Sequence, residues 1–320
     1  MAPTVTVVIP VFNRPAQVDR AIRSVLAQTY QDFEIVVIDD GSTDETTAVV
    51  AAFEDPRITL IRHERNRGGS AARNTGIRAG TAPYIAFLDS DDEWLPTKLE
   101  RQLEVFGRSG DQLGLVYTGA DRVEADGTVQ RHIPRAIANL PQALLTENVI
   151  GETSLGMVRR SAFDVTGVFD ESLPAAQDMD MWLRLCERFS ADFVPEALVR
   201  VVRGKSGRIS VNAASGSAGR EMFRRKHKAK LIQHRILHLH LRKSGWWYLR
   251  EARDARQARR CFLQAIAARP TALRTYGMLL AASLPAAWVD GLAASKHRVS
   301  RLLPPARLAR HSRSGTIVDA

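Results

Sequence analysis

Over roughly the first 120 residues, the apolar positions switch repeatedly between the two-residue and continuous patterns of strands and the 3.6-residue period of helices. Residues 5–9 (Val-Thr-Val-Val-Ile) read as a strand that Pro10 stops. Pro15 then opens a helix, where its missing N–H costs nothing, and Val18, Ile22, Val25 and Leu26 share one face. Residues 33–38 form a second strand that runs into Asp39-Asp40-Gly41-Ser42. Helical spacing returns over 44–53, a third strand over 58–61, a helix with a glycine-rich start over 68–79, and a fourth strand over 84–88. This rhythm predicts a mainly parallel, three-layer α/β sheet.

Residues 111–215 are less regular. Residues 115–117, 154–158 and 199–202 read as strands, and 178–189 as an amphipathic helix with Met181, Trp182, Leu185 and Phe189 on one side. The small residues 215–219 (Ser-Gly-Ser-Ala-Gly) read as a linker, after which the chain turns helical and basic. The expected organisation is an α/β domain over 1–214, a basic amphipathic helical region over 215–310, and a disordered tail over 311–320.

Charge sharpens that division. Residues 216–320 hold 22 Lys and Arg against 5 Asp and Glu, a surplus of 17, whereas residues 1–215 hold 23 against 30. A basic tail suits nucleic acid or anionic lipid. Its aromatics cluster at Trp246, Trp247 and Tyr248 instead of interleaving with basic residues on a sheet, which argues against nucleic acid. The apolar run 276–289 is shorter than the ~20 residues of a membrane span, so an interfacial helix lying on an anionic membrane is expected. The plain alternative is a helical subdomain packed on the α/β domain. Cys186 and Cys261 cannot make a disulfide framework and fit a reducing compartment. The N-terminus lacks the basic and long apolar segments of a signal peptide. The expected location is cytoplasmic, peripheral on the inner face of the membrane.

The chemistry concentrates at the ends of the strands. The apolar run Tyr84 to Leu88 meets Asp89, Ser90, Asp91 and Asp92. Three carboxylates within four residues repel one another unless a cation joins them. Mg²⁺ or Mn²⁺ suits such hard oxygen ligands and commonly brings a diphosphate. Three more polar groups follow strand ends: Pro10-Val11-Phe12-Asn13, Asp39 to Asp44, and Asn66 to Asn74 with Gly68, Gly69 and Arg73. Each alone can be a turn or a helix cap. Four at carboxyl ends along one α/β unit predict a shared crevice. A dinucleotide oxidoreductase is excluded, because Pro10-Val11-Phe12-Asn13 stands where Gly-x-Gly-x-x-Gly would be required.

In this order the segments resemble the family 2 glycosyltransferases, over about residues 4–210. The resemblance implies a GT-A fold with an α-helical C-terminal extension. It also implies inverting, metal-dependent transfer of a sugar from a nucleotide-sugar donor, typically UDP-linked, to an acceptor hydroxyl on a glycan, lipid-linked or protein acceptor. By the same resemblance Val11 and Phe12, with Pro10 and Asn13 beside them, line the nucleoside pocket, and Asp39 or Asp40 bonds the base. Arg73 faces the nucleotide, Asp89-Ser90-Asp91 is the Asp-X-Asp metal motif with Asp89 and Asp91 as ligands, and Asp92 assists. Asp178, in Ala176-Gln177-Asp178-Met179-Asp180, matches the catalytic base, although the family usually has Glu where Gln177 stands. A cap at the head of a helix is the ordinary alternative for Asp178. Residues 151–171 resemble the acceptor side. The loop 203–210 lacks the family's His and offers Lys205 or Arg208 as a basic lid. The rival function is a non-catalytic sugar-nucleotide-binding scaffold at the membrane, which the metal acids and Asp178 argue against.

Overall fold

The computed structural model describes residues 2–202 and 213–284. The proposed lid at 203–210 and the tail at 311–320 lie outside the described residues. By compactness the chain divides into Met1–His240 and Leu241–Ala320.

The first unit begins with β1 (Val5–Val11), α1 (Pro15–Leu26), β2 (Phe33–Asp39), α2 (Thr46–Ala51), β3 (Ile58–Arg62), α3 (Gly69–Ala79) and β4 (Tyr84–Phe87). The strands pair in parallel in the order β3-β2-β1-β4, with Val5 opposite Phe33 and Tyr84. Every residue of β1 except Pro10 is buried, as a strand covered on both faces requires. Val5, Val7 and Ile9 face α1 through Val18, Ile22 and Val25, with Leu99 of α4 (Lys98–Gly107) in the same cluster. Val8, Ile85 and Phe87 face the other layer, Ile77 of α3 among it. Alternation along the strand thus builds the expected three layers.

Beyond β4 the sheet becomes mixed. The chain continues through β5 (Asp92–Trp94), α4, β6 (Leu113–Val123), β7 (Val129–His132), α5 (Leu140–Leu144), a 3-10 turn (Thr153–Leu155), β8 (Gly156–Arg159), α6 (Ala162–Thr166), α7 (Gln177–Cys186) and β9 (Ser190–Val202). β8 lies antiparallel between β4 and β6, β9 runs parallel to β6, β5 closes the edge antiparallel to β9, and β7 hairpins onto β6. The acidic cluster therefore runs into a short strand before the next helix begins. Residues 154–158 split between the 3-10 turn and β8.

The residues expected to be a linker are helical. They lie within α8 (Ala213–Lys226), which is followed by α9 (Lys228–Gln233). Phe223 of α8 and Leu231 of α9 are fully buried in the cluster that contains Trp182 and Leu185 of α7. The first compact unit therefore extends past residue 214, the expected boundary, because these basic helices spend their apolar faces on its core. The chain passes through α10 (Leu237–Arg250) into the second unit, where α11 (Ala255–Ala268) and α12 (Leu273–Ala281) pack around Phe262 and Ala258.

Candidate active site

A cavity of about 1010 Å³ opens at the carboxyl ends of β1, β2 and β4. Strand ends leave backbone groups and loops free to turn toward a ligand, and ligand crevices form there in open α/β sheets. Pro10, Val11 and Phe12 line it from β1, Asp40 from the loop after β2, Gly68, Gly69 and Arg73 from α3, and Asp89, Ser90 and Asp91 from the loop after β4. Asp178 and Gln177 of α7 line the same cavity. Residues as far apart in the chain as Pro10 and Asp178 thus meet in one place.

The individual placements differ. Phe12 is 40 % exposed at the cavity. Asn13 does not line it: its Oδ1 accepts the Thr43 N–H at 2.9 Å, and its φ of 50° is one that Asn tolerates. Of the two candidate acids after β2, Asp40 lines the cavity, whereas Asp39 is fully buried and accepts from Ser42 N–H at 2.9 Å and from Thr47. Asp40 accepts the Arg67 and Gly68 N–H groups at 2.9 and 2.7 Å and pairs with His63 Nδ1 at 2.7 Å, so it anchors the glycine-rich loop. Gly41 between this pair and that loop has φ +79°, and a Cβ there would lie 2.6 Å from the Arg65 backbone.

The metal-motif acids sit among cations. Asp89 Oδ1 takes the Arg73 guanidinium at 2.5 Å and the Thr153 hydroxyl at 3.0 Å. Burial alone would raise the Asp89 pKa, but Arg73 beside it holds the carboxyl below its usual value. Asp91 pairs with Arg14 at 3.1 Å, and Arg14, which the sequence reading passed over, also lines the cavity. Asp92 is buried and accepts from Ser154 Oγ at 2.7 Å, while that hydroxyl accepts the Asp89 N–H at 3.0 Å. Arg73 is almost buried, and its Nε–H has no acceptor among the described residues. The Arg73 side chain lines the cavity, where a guanidinium suits an incoming anion.

Asp178 is the second residue of α7, not its cap; Ala176 occupies the N-cap, in the left-handed region at φ 61°. Asp178 Oδ1 accepts the Met179 N–H at 2.8 Å, and Oδ2 accepts from Asn148 Nδ2 at 2.8 Å. Asn148 is fixed in turn by Gly151, whose carbonyl and N–H it bonds at 2.9 and 3.0 Å. Burial lifts the Asp178 pKa to about 6, against the Met179 N–H and the Arg73 charge, with Glu152 and Asp89 adding to the rise. Gln177 donates to the Leu173 carbonyl at 2.8 Å, tying down the preceding loop. Asp180, two residues on, is fully buried away from the cavity. It binds His227 of α8–α9 at 2.8 Å, Lys226 at 3.0 Å and Arg184 at 2.9 Å. Asn148 in its loop and Arg122 on β6 carry no periodic signal, and sequence patterns could not single them out.

An α/β sheet with ionic and acidic groups gathered at its strand ends is the architecture of the GT-A glycosyltransferases, and the likeness to solved structures bears this out. The chain superimposes on Staphylococcus aureus TarS 1–349 in complex with UDP-GlcNAc at a TM-score of 0.66 and 17 % identity, covering 88 % of this chain and 84 % of that one. It also matches the mannosyltransferase PcManGT from Pyrobaculum calidifontis in complex with GDP-Man and Mn²⁺, at a TM-score of 0.57 and 20 % identity over 92 % and 80 % of the two chains. In sequence, residues 6–167 match the model of glycosyl transferase family 2, and the chain belongs to that family. It is 31 % identical to the putative colanic acid biosynthesis glycosyl transferase WcaA of Escherichia coli K12, over 71 % of this chain and 82 % of that one. It is 39 % identical to the succinoglycan biosynthesis protein ExoO of Rhizobium meliloti, over 55 % and 53 %. The match covers only 34 % of an uncharacterised glycosyltransferase of Rickettsia felis, so the chain spans about half or less of the length of these last two relatives.

Proposed function

We propose that the chain transfers a sugar from a nucleotide-sugar donor, UDP-linked, to a hydroxyl of a cell-surface polysaccharide acceptor, with inversion. The observation that carries this reading is the single cavity lined both by Arg73, Asp89 and Asp91 and by Asp178. The polysaccharide names of the relatives WcaA and ExoO and the UDP-GlcNAc bound by TarS support the substrate class.

The chemistry follows from the side chains. A sugar hydroxyl attacks poorly until its proton is accepted. Asp178, with a pKa of about 6, is ionised near neutral pH and still basic enough to take that proton. One base and one displacement leave the anomeric carbon inverted. On the donor side, Asp40 and Phe12 would meet the nucleoside, and the Arg73 guanidinium the diphosphate. Asp89 and Asp91 offer hard oxygen donors that fit Mg²⁺ or Mn²⁺. Among the described residues, no cluster of three His, Cys, Asp or Glu could hold an ion, so phosphate and water oxygens must complete the shell. Bound there, the ion would offset the negative charge that grows on the leaving diphosphate. Ser154 holds Asp92 and the Asp89 backbone, and so keeps the acidic loop in register.

The test is the Asp178→Asn protein with a panel of UDP-sugars, Mn²⁺ and acceptor glycans, read as nucleotide release. Transfer should fall about 10²–10⁴-fold, the usual contribution of a general base. Donor affinity should change little. Normal turnover by Asp178→Asn would overturn the assignment, and a protein that binds UDP-sugars but never releases nucleotide would favour the scaffold.

A peripheral membrane location is carried by one observation in the second unit. Leu273, Tyr276, Leu280 and Leu284 share one face of α12 and its end, and Leu273 and Leu280 are 79 % and 72 % exposed. No helix among the described residues is long and apolar enough to cross a membrane.

A further inference from the structure

A second cavity, of about 720 Å³, adjoins the first and shares Arg122, Asn148 and Gly151 with it. Asn148 is the residue that holds Asp178, so whatever occupies this cavity lies beside the site where the hydroxyl would be activated. Arg122 of β6, Arg131 and His132 at the end of β7, and Arg135 just beyond line it, against one carboxylate, Glu147. Ile133 and Ile150 supply apolar wall.

The cationic groups differ in how they are engaged. Arg122 grips Glu152 with Nε and Nη2 at 3.2 and 2.8 Å, and Arg131 grips Asp121 with the same two atoms at 2.7 Å each. Neither Glu152 nor Asp121 lines the second cavity. Arg135 is exposed and has no carboxylate partner among the described residues. His132 lies near both Arg122 and Arg135, and burial together with these two cations holds its imidazole below the usual range, Glu152 opposing them. Exposed arginines on a loop are often simply solvated. Here three guanidinium groups, with His132 among them, gather around one concavity that adjoins the cavity holding the candidate base, and that placement favours a ligand.

We propose that the second cavity is a distal acceptor subsite, built for an anionic group that the acceptor carries beside the sugar presenting its hydroxyl. The proposal rests on the glycosyl-transfer reading of the first cavity. The anion is a carboxylate of an acidic sugar or a phosphate on the acceptor's carrier. Both suit the planar donor fork of Arg135.

The full chain is titrated calorimetrically at low salt with three probes: trigalacturonate, neutral maltotriose and geranyl diphosphate. The wild-type protein should bind at least one anionic probe, with maltotriose about tenfold weaker, as loss of a charged hydrogen bond implies. Arg135→Glu should weaken that binding by about tenfold or more, and Arg135→Ala by less. Dependence of trigalacturonate binding on Arg135 identifies a carboxylate, and dependence of geranyl diphosphate binding identifies a phosphate. Anion binding that is unchanged in Arg135→Glu, or lost only in Arg14→Ala on the donor side, overturns the proposal. Asp178→Asn should bind the probes like wild type, so a failed base assignment shows in its turnover and a failed subsite shows in the Arg135 titrations.

Discussion

A carboxylate is a useful base near neutrality only where its surroundings raise its pKa, and at Asp178 burial does so against the Met179 N–H and the Arg73 charge. A donor bonded to the ionised form favours ionisation. Asn148→Ala should therefore push the Asp178 pKa above its value of about 6 and leave the carboxylate free to rotate. The acid limb of the kcat/KM profile should move up by about one unit, with a lower plateau, because one charged hydrogen bond is worth roughly 1.5–3 kcal/mol. An unchanged limb would mean that Asn148 serves only the Gly151 turn. At this scale the sequence was a partial guide. The cluster at 89–91 and Asp178 stood out because charged residues abutting apolar runs are conspicuous. The choice between Asp39 and Asp40 did not, because it depends on where β2 ends: Asp39 still pairs across the ladder with Val11 and Arg62, and Asp40 is the first residue free to turn. Asn13 looked like a ligand contact because a turn-former and a binder have the same composition.

Among the elements, α8 shows most clearly how close packing imitates flexibility. Ser215, Gly216, Ser217, Ala218 and Gly219 have the composition of a linker, yet they are helical. A Cβ on Gly219 would stand 2.6 Å from the Ala175 carbonyl oxygen, so the small residue is there to let α8 approach the loop that leads to Ala176. Gly219→Ala sets two effects against each other. Alanine gains up to about 1 kcal/mol of helix propensity. The clash with backbone costs about 1–3 kcal/mol and cannot be relieved by turning a side chain. Thermal unfolding should show net destabilisation, and transfer should drop because Ala175 and Ala176 line the cavity. A more stable Gly219→Ala protein would show that α8 does not bear on that loop. The regular β-α rhythm before Phe87 was readable because buried parallel strands are apolar throughout. The three-residue β5 and the exposed β7 were not, since neither has a period long enough to register.

For the whole molecule, the asymmetry of charge was plain in the sequence, but its use was not. Phe223 of α8 and Leu231 of α9 are spent on the core of the first unit, whereas α12 keeps Leu273 and Leu280 largely exposed. Replacing Leu273 and Leu280 together by Glu should abolish co-sedimentation with vesicles rich in phosphatidylserine and leave UDP-sugar turnover in solution intact. Equal sedimentation of both proteins would remove the membrane reading. The two aspartates of α7 have a joint consequence. Asp178 must lose its proton to act, and its ionised fraction falls away below about pH 6. Asp180 is buried, yet His227, Arg184 and Lys226 hold its pKa down to about 2. A depressed carboxylate contributes stability above its unfolded pKa and loses it only as the pH drops toward the folded value. Between roughly pH 6 and pH 4 the helix seam endures while the base is silenced. Mild acidification should therefore put the molecule to sleep without taking it apart, and neutral buffer should wake it.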